Sequence, residues 1–181
     1  MQRKPGLAPR YGLAKRKAEA LLEEAKIKKP PVPVEELARR AGLVLKFEPF
    51  VGKAMSGMLH RGARGGVVGV NSLDSATRQR FTIAHELGHF LLHAKELHID
   101  EGYSLRFRNA LSSKGVDDDE IEANQFASHL LMPASLMEED VRKLGRIDVD
   151  DGEAIETLAK RYEVSPQAMT LRLAKLLAHG L

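Results

Sequence analysis

The stretch FTIAHELGHFLLH, residues 81–93, constrains this chain more than any other. Its apolar positions predict a buried helix, yet it carries His85, Glu86, His89 and His93 within nine residues. A core helix accepts that many titratable groups only if something pairs with them. Residues four apart share one helical face, so His85 and His89 present two imidazoles to the same spot, with Glu86 beside them. That is the H-E-x-x-H pattern of a metal-dependent hydrolase. Zn²⁺ brings the pKa of a bound water towards neutrality, and the Glu can take its proton. On an unbroken helix His93 sits about 12 Å along the axis from His85. "FLLH" contains nothing that breaks a helix, so His93 is expected to pack or to support the ligands rather than to join them.

A catalytic zinc takes three protein ligands and keeps one position open. The next long helix, in VDDDEIEANQFASHLLMP, offers the third. Glu120 and Asn124 share a face that Ala127 and Leu131 continue. Laid against the first helix, it can give the Glu120 carboxylate to the metal while the Asn124 amide orients a ligating imidazole. Glu122 lies about 200° round the axis from Glu120 and is expected to stay clear of the ion. Glu120→Ala should therefore lower metal affinity sharply, Asn124→Ala less so, and Glu122→Ala by no more than a few-fold. Gly88 costs helix stability, about 1 kcal/mol relative to Ala, and makes sense where another segment approaches closely. His₂Glu suits Zn²⁺, with Mn²⁺ chemically plausible.

The surrounding pattern predicts an α+β fold. A helix runs from Lys15 to Ile27 and stops at KKPPVPV, since proline cannot continue it. A short helix, Val34–Ala41, ends at Gly42. LVLKFEPF, AMSGMLHR and GVVGVN read as strands of a small antiparallel sheet, the last two joined by GARGG. Residues 96–116 read as a long irregular excursion. After Pro133 three helices are expected, at about 134–144, 153–162 and 166–178. The organisation expected is a basic flexible arm at 1–14, a zincin-like metallopeptidase core at 15–133, and a helix-turn-helix-like segment at 134–181. Gly57, Met58 and Leu59 lie on a strand that could be a sheet edge, able to add an extended substrate by backbone hydrogen bonds, or an ordinary inner strand. Tyr103 and His129 are candidates to stabilise the developing oxyanion.

Charge is uneven. Residues 1–29 hold nine Lys/Arg against three Glu, a net +6, so the other 152 residues sum to −3 in a chain of net +3. A basic arm can suggest nucleic acid, and Arg172 and Lys175 could face phosphate, but the acidic DVDDGEAIE beside that segment opposes DNA binding. The chain has no Cys, no secretory leader and no membrane-length apolar run, which predicts a cytoplasmic protein.

RQRFTIAHELGHFLLH followed by EIEANQFASHLLMP resembles the ImmA/IrrE family of bacterial metallopeptidases. MSGML…VVGVNS, PPVPVEELARRAGL and LAKRYEVSPQAMTLRL fit the same layout, so the resemblance covers roughly residues 15–178. It implies a gluzincin-like endopeptidase with His85, His89 and Glu120 as metal ligands and Glu86 as the base. It places the Gly57 strand near the metal. Family members cleave helix-turn-helix repressors, which makes such a repressor the expected partner and relief of repression in a stress response or mobile element the expected outcome. The alternative is a peptidase-like binding module that docks a partner with little hydrolysis. The intact Glu86 speaks against it, because a binding module has no need of that base.

Overall fold

The structure, a computed structural model, describes residues 9–51, 55–63, 65–94, 97–100, 118–145 and 151–178. Of the expected basic arm, residues 1–8 lie outside these, as do Tyr103 and most of the 96–116 excursion. Residues 11–14 belong to the first helix, which begins four residues earlier than the sequence suggests. It is α1, Tyr11–Glu24, and it buries Ala14, Ala18 and Leu22. The short α2, Val34–Arg40, follows, and then β1, Leu43–Glu48; β2, Gly57–Gly62; and β3, Gly65–Asn71.

The central helix α3 spans Ala76–Leu92. Ser75 caps it, its hydroxyl accepting from Arg78 N at 3.3 Å, which satisfies one of the orphan donors of the first turn. A strand, β4, Leu97–Asp100, lies where sequence reading expected only irregular chain. Then come α4, Asp118–Leu131; α5, Ala134–Leu144; α6, Gly152–Tyr162; and α7, Pro166–Ala178.

The sheet has the order β1-β3-β2-β4. It is mixed rather than wholly antiparallel: β1 pairs parallel with β3, whereas β2 is antiparallel to both β3 and β4. The β2–β3 hairpin forms as expected, but β4 takes the outer side of β2, so β1 docks on the far side of β3. Alternation of apolar residues reports which face is buried and says nothing about the partner strand. The same topology decides between the two readings left open for Gly57, Met58 and Leu59, in favour of the inner strand. They lie on an inner strand whose two sides are occupied by β3 and β4, and Leu59 is core, only 1% exposed.

One buried cluster runs from Ala14 of α1 through Val68, Val70, Ile83 and Phe126 to Leu173 of α7. α3 is buried along its second half, Thr82–His89, because the sheet covers one side and α4 the other. Gly88 allows the α4 approach. A methyl group there would come within 3.2 Å of Ala123 Cα and 3.1 Å of Phe126 Cδ1.

The C-terminal helices join the same core. Ile155, Leu158, Ala159 and Tyr162 are buried as their spacing predicts. Tyr162 and Arg161 both donate to Asp140 Oδ2, at 3.0 and 2.6 Å. Arg172, for which contact with phosphate had been one option, is buried at 4% exposure and donates through Nε to Met132 O at 3.0 Å. Its Nη2 lies 3.1 Å from Nδ1 of His129, which must therefore accept as a neutral ring. That employs the Nδ1 side of His129 in packing α7 on α4.

Burial, and after it the positive charges of Arg172, Lys15 and Lys175, push His129 from its ordinary 6.5 down to about 4. Between those values the unfolded chain binds a proton that the native one refuses, so stability falls as pH drops through that window. The melting temperature should fall between pH 7 and 4.5, and the fall should be smaller in His129→Gln, whose amide oxygen can still accept from Arg172. Equal slopes in the two proteins would remove His129 as the cause.

Candidate metal centre

His85 and His89 stand one turn apart on α3, and their Nε2 atoms are 3.0 Å from each other. Glu120, from the first turn of α4, reaches both: its Oε2 is 3.6 Å from His85 Nε2 and its Oε1 3.4 Å from His89 Nε2. All three residues are buried. Ligand atoms at about 2.0–2.2 Å around a tetrahedral zinc are separated by roughly 3.3–3.6 Å. The observed 3.0–3.6 Å brackets that spacing.

The second nitrogens support the same conclusion. His85 Nδ1 lies 2.8 Å from Asn124 Oδ1. A ring that donates Nδ1–H to an amide oxygen leaves its Nε2 lone pair facing inward. That Nε2, the Nε2 of His89 and a carboxylate oxygen of Glu120 lie within 4.8 Å of one another, close enough to share one cation. The donor set therefore fits a divalent metal with nitrogen and oxygen preference.

The expected ligands His85, His89 and Glu120 thus come together, and Asn124 stands behind His85. The family model of peptidase family M78, the IrrE N-terminal-like domain, matches residues 38–174. The chain belongs to this family. Among solved structures, a Mycobacterium tuberculosis transcriptional regulator superposes with a TM-score of 0.60 at 19% identity, over 89% of this chain and 55% of that chain. At that identity the likeness is one of fold, and this chain spans little more than half the length of the other. No curated protein matches it.

In this IrrE-like domain Glu86 is fully buried, under β2. Gly57 makes that possible. A methyl group on Gly57 would lie 2.3 Å from Thr82 Cγ2 and 3.4 Å from Glu86 Oε1. The strand and the helix touch only because there is no side chain between them. Gly57→Ala should thus push β2 off α3 beside the base, at a cost of about 1–3 kcal/mol typical of overpacking. A melt compared with the parent's checks this, and an unchanged melting temperature would show that the strand yields freely.

Sequence reading missed how α3 ends. Its last helical residue is Leu92, and His93 is extended, with φ −126° and ψ 153°. Nη2 of Arg61, on β2, donates to the carbonyls of Phe90 and His93, the latter at 2.7 Å. A cation at a helix C-terminus is favoured by the dipole and by the unpaired carbonyls. No breaker in "FLLH" signalled this stop, because the capping group comes from about 30 residues upstream.

Leaving the helix swings the His93 ring back over His89, their Nδ1 atoms 3.0 Å apart. Glu122 is fully buried on the far side of His93 and is gripped by Arg10. Burial alone would raise its carboxyl, but the Arg10 side chain and backbone N–H, together with His93, hold it down at about 2.

Proposed function

We propose that this IrrE-like domain is a metal-dependent endopeptidase. His85, His89 and Glu120 would hold Zn²⁺, with Mn²⁺ the runner-up, and Glu86 would act as the general base. The observation that carries this is the convergence of three buried donor atoms at zinc-like spacing, one residue along α3 from a buried carboxylate. When bound, the ion supplies Lewis acidity that polarises a carbonyl and acidifies water. The residues of the chain do the rest. Glu86 accepts the proton of the attacking water and returns it to the leaving amine. Asn124 holds His85 in one tautomer, and β2 shields Glu86 from bulk water across Gly57.

The proposed substrate is a helix-turn-helix transcriptional repressor, cut in the cytoplasm to release the genes it holds silent. Membership of the family supports that class. Among the described residues no helix is long and apolar enough to cross a membrane. The burial of Arg172 speaks against DNA as the ligand of the C-terminal helices. Docking by strand addition would fall to β4, the outermost strand among the described residues on this side of the sheet.

The test is incubation of the zinc-loaded chain with repressors encoded beside its gene, read by mass spectrometry. Two defined fragments, absent with Glu86→Gln, support the reading. Stable co-elution of an intact repressor, equal for the parent and Glu86→Gln, would favour a binding module.

A further inference from the structure

A second set of polar groups runs from the back of His89 to the N-terminal segment. His89 Nδ1 lies 3.0 Å from His93 Nδ1. His93 Nε2 lies 3.1 Å from Glu122 Oε2 and 3.5 Å from Asp119 Oδ1. Arg10 completes the series from 112 residues away. Its backbone N–H donates to Glu122 Oε1 at 2.7 Å, its Nε lies 3.1 Å from each carboxylate oxygen, and its Nη2 donates to Oε2 at 2.7 Å. Nη2 also approaches Leu92 O at 3.4 Å, so Arg10 touches the end of α3 as well.

Chemistry fixes the protons along this path. If His89 turns its Nε2 lone pair to the metal, its proton is on Nδ1. Two Nδ1 atoms 3.0 Å apart share one proton, so His93 must accept there and carry its own proton on Nε2. That proton points at Glu122, a carboxylate and hence an acceptor only. Glu122 is fully buried and needs a cation beside it, which Arg10 provides.

We propose that His93, Glu122 and Arg10 form a positioning relay that holds His89 with its Nε2 lone pair towards the metal, doing for His89 what Asn124 does for His85. The proposal rests on the metal site described above. It replaces the expectation that Glu122 is neutral for metal affinity. Glu122 stays clear of the ion, as its place on α4 predicts, but it acts through His93. The relay ends on Arg10, whose side chain is 41% exposed, so the seating of the N-terminal segment sets how firmly the metal is held. Donor atoms of His93, Asp119 and Glu122 also lie within 4.8 Å of one another, as a second cation site would require. Arg10 already occupies both Glu122 oxygens, and a divalent ion there would sit against a guanidinium, so the relay is the better account.

The test is titration of the full chain with Zn²⁺ against a competing chelator, with the melting of each apo protein recorded to separate loss of fold from loss of affinity. Supporting residues of metal-bound histidines typically contribute about 10- to 100-fold in affinity. Glu122→Gln and His93→Leu should lose that much, and Arg10→Gln should weaken binding in the same direction. His93→Gln should stay within a few-fold, because its amide can accept from His89 and donate to Glu122. A merely structural role would not separate Gln from Leu in this way. If the parent binds no zinc, the metal site is wrong and the relay falls with it. If the parent binds one ion and folded Glu122→Gln and His93→Leu bind as tightly, the relay alone is wrong. Two ions on the parent, reduced to one by Glu122→Gln, would make this cluster a second metal site and overturn the proposal. Should the variants fail to fold, nitrogen-resolved imidazole NMR of the zinc-loaded parent decides. The relay requires His89 protonated on Nδ1 and His93 on Nε2, and a proton on His93 Nδ1 contradicts it.

Discussion

Glu86→Gln should reduce kcat/KM for the cleaved protein by about 10²- to 10⁴-fold while leaving zinc affinity within a few-fold. That range corresponds to about 3–5 kcal/mol of lost transition-state stabilisation. The substitution isolates one function. Gln has the shape of Glu, so the fully buried site under β2 needs no repacking. It leaves the imidazoles of His85 and His89 and the carboxylate of Glu120 untouched. What it removes is a group able to take and return a proton. Steady-state cleavage and a parallel metal titration give both numbers, and a parental rate with bound zinc would exclude Glu86 as the base.

Glu120→Ala should weaken zinc binding further than the roughly 10- to 100-fold of a supporting residue. It deletes one of three donors outright, and two imidazoles 3.0 Å apart remain without the carboxylate that balances the charge of the ion. Asn124→Ala should fall in the supporting range, since it frees the His85 ring at Nδ1 without removing a donor. Titration of both variants, with apo melting as the control for folding, orders the two effects. Tight binding by a folded Glu120→Ala would return the third position to another residue.

Much of this site could be read from sequence because its key spacings are local. His85 and His89 share a face by helical period alone. The same period separated Glu120 from Glu122 and put Asn124 with the former. Gly88 signalled a close approach, and Ala123 and Phe126 make it.

What escaped was set by partners distant in the chain. Arg61 ends α3 at Leu92 although "FLLH" holds no breaker, and so brings His93 back over His89. The bond between Arg10 and Glu122 spans 112 residues. Arg172 looked like a surface cation because basic residues usually are, but the carbonyl of Met132 and the ring of His129 give it a buried seat. The parallel pairing of β1 with β3 depends on β4 taking the side of β2, in a stretch whose Gly and Ser content reads as loop.

The most direct test is anomalous diffraction at the zinc edge from crystals of the zinc-loaded chain. The account predicts one peak, about 2.0–2.2 Å from Nε2 of His85, Nε2 of His89 and a carboxylate oxygen of Glu120. A peak among His93, Asp119 and Glu122 instead, or none between the two imidazoles, would contradict it.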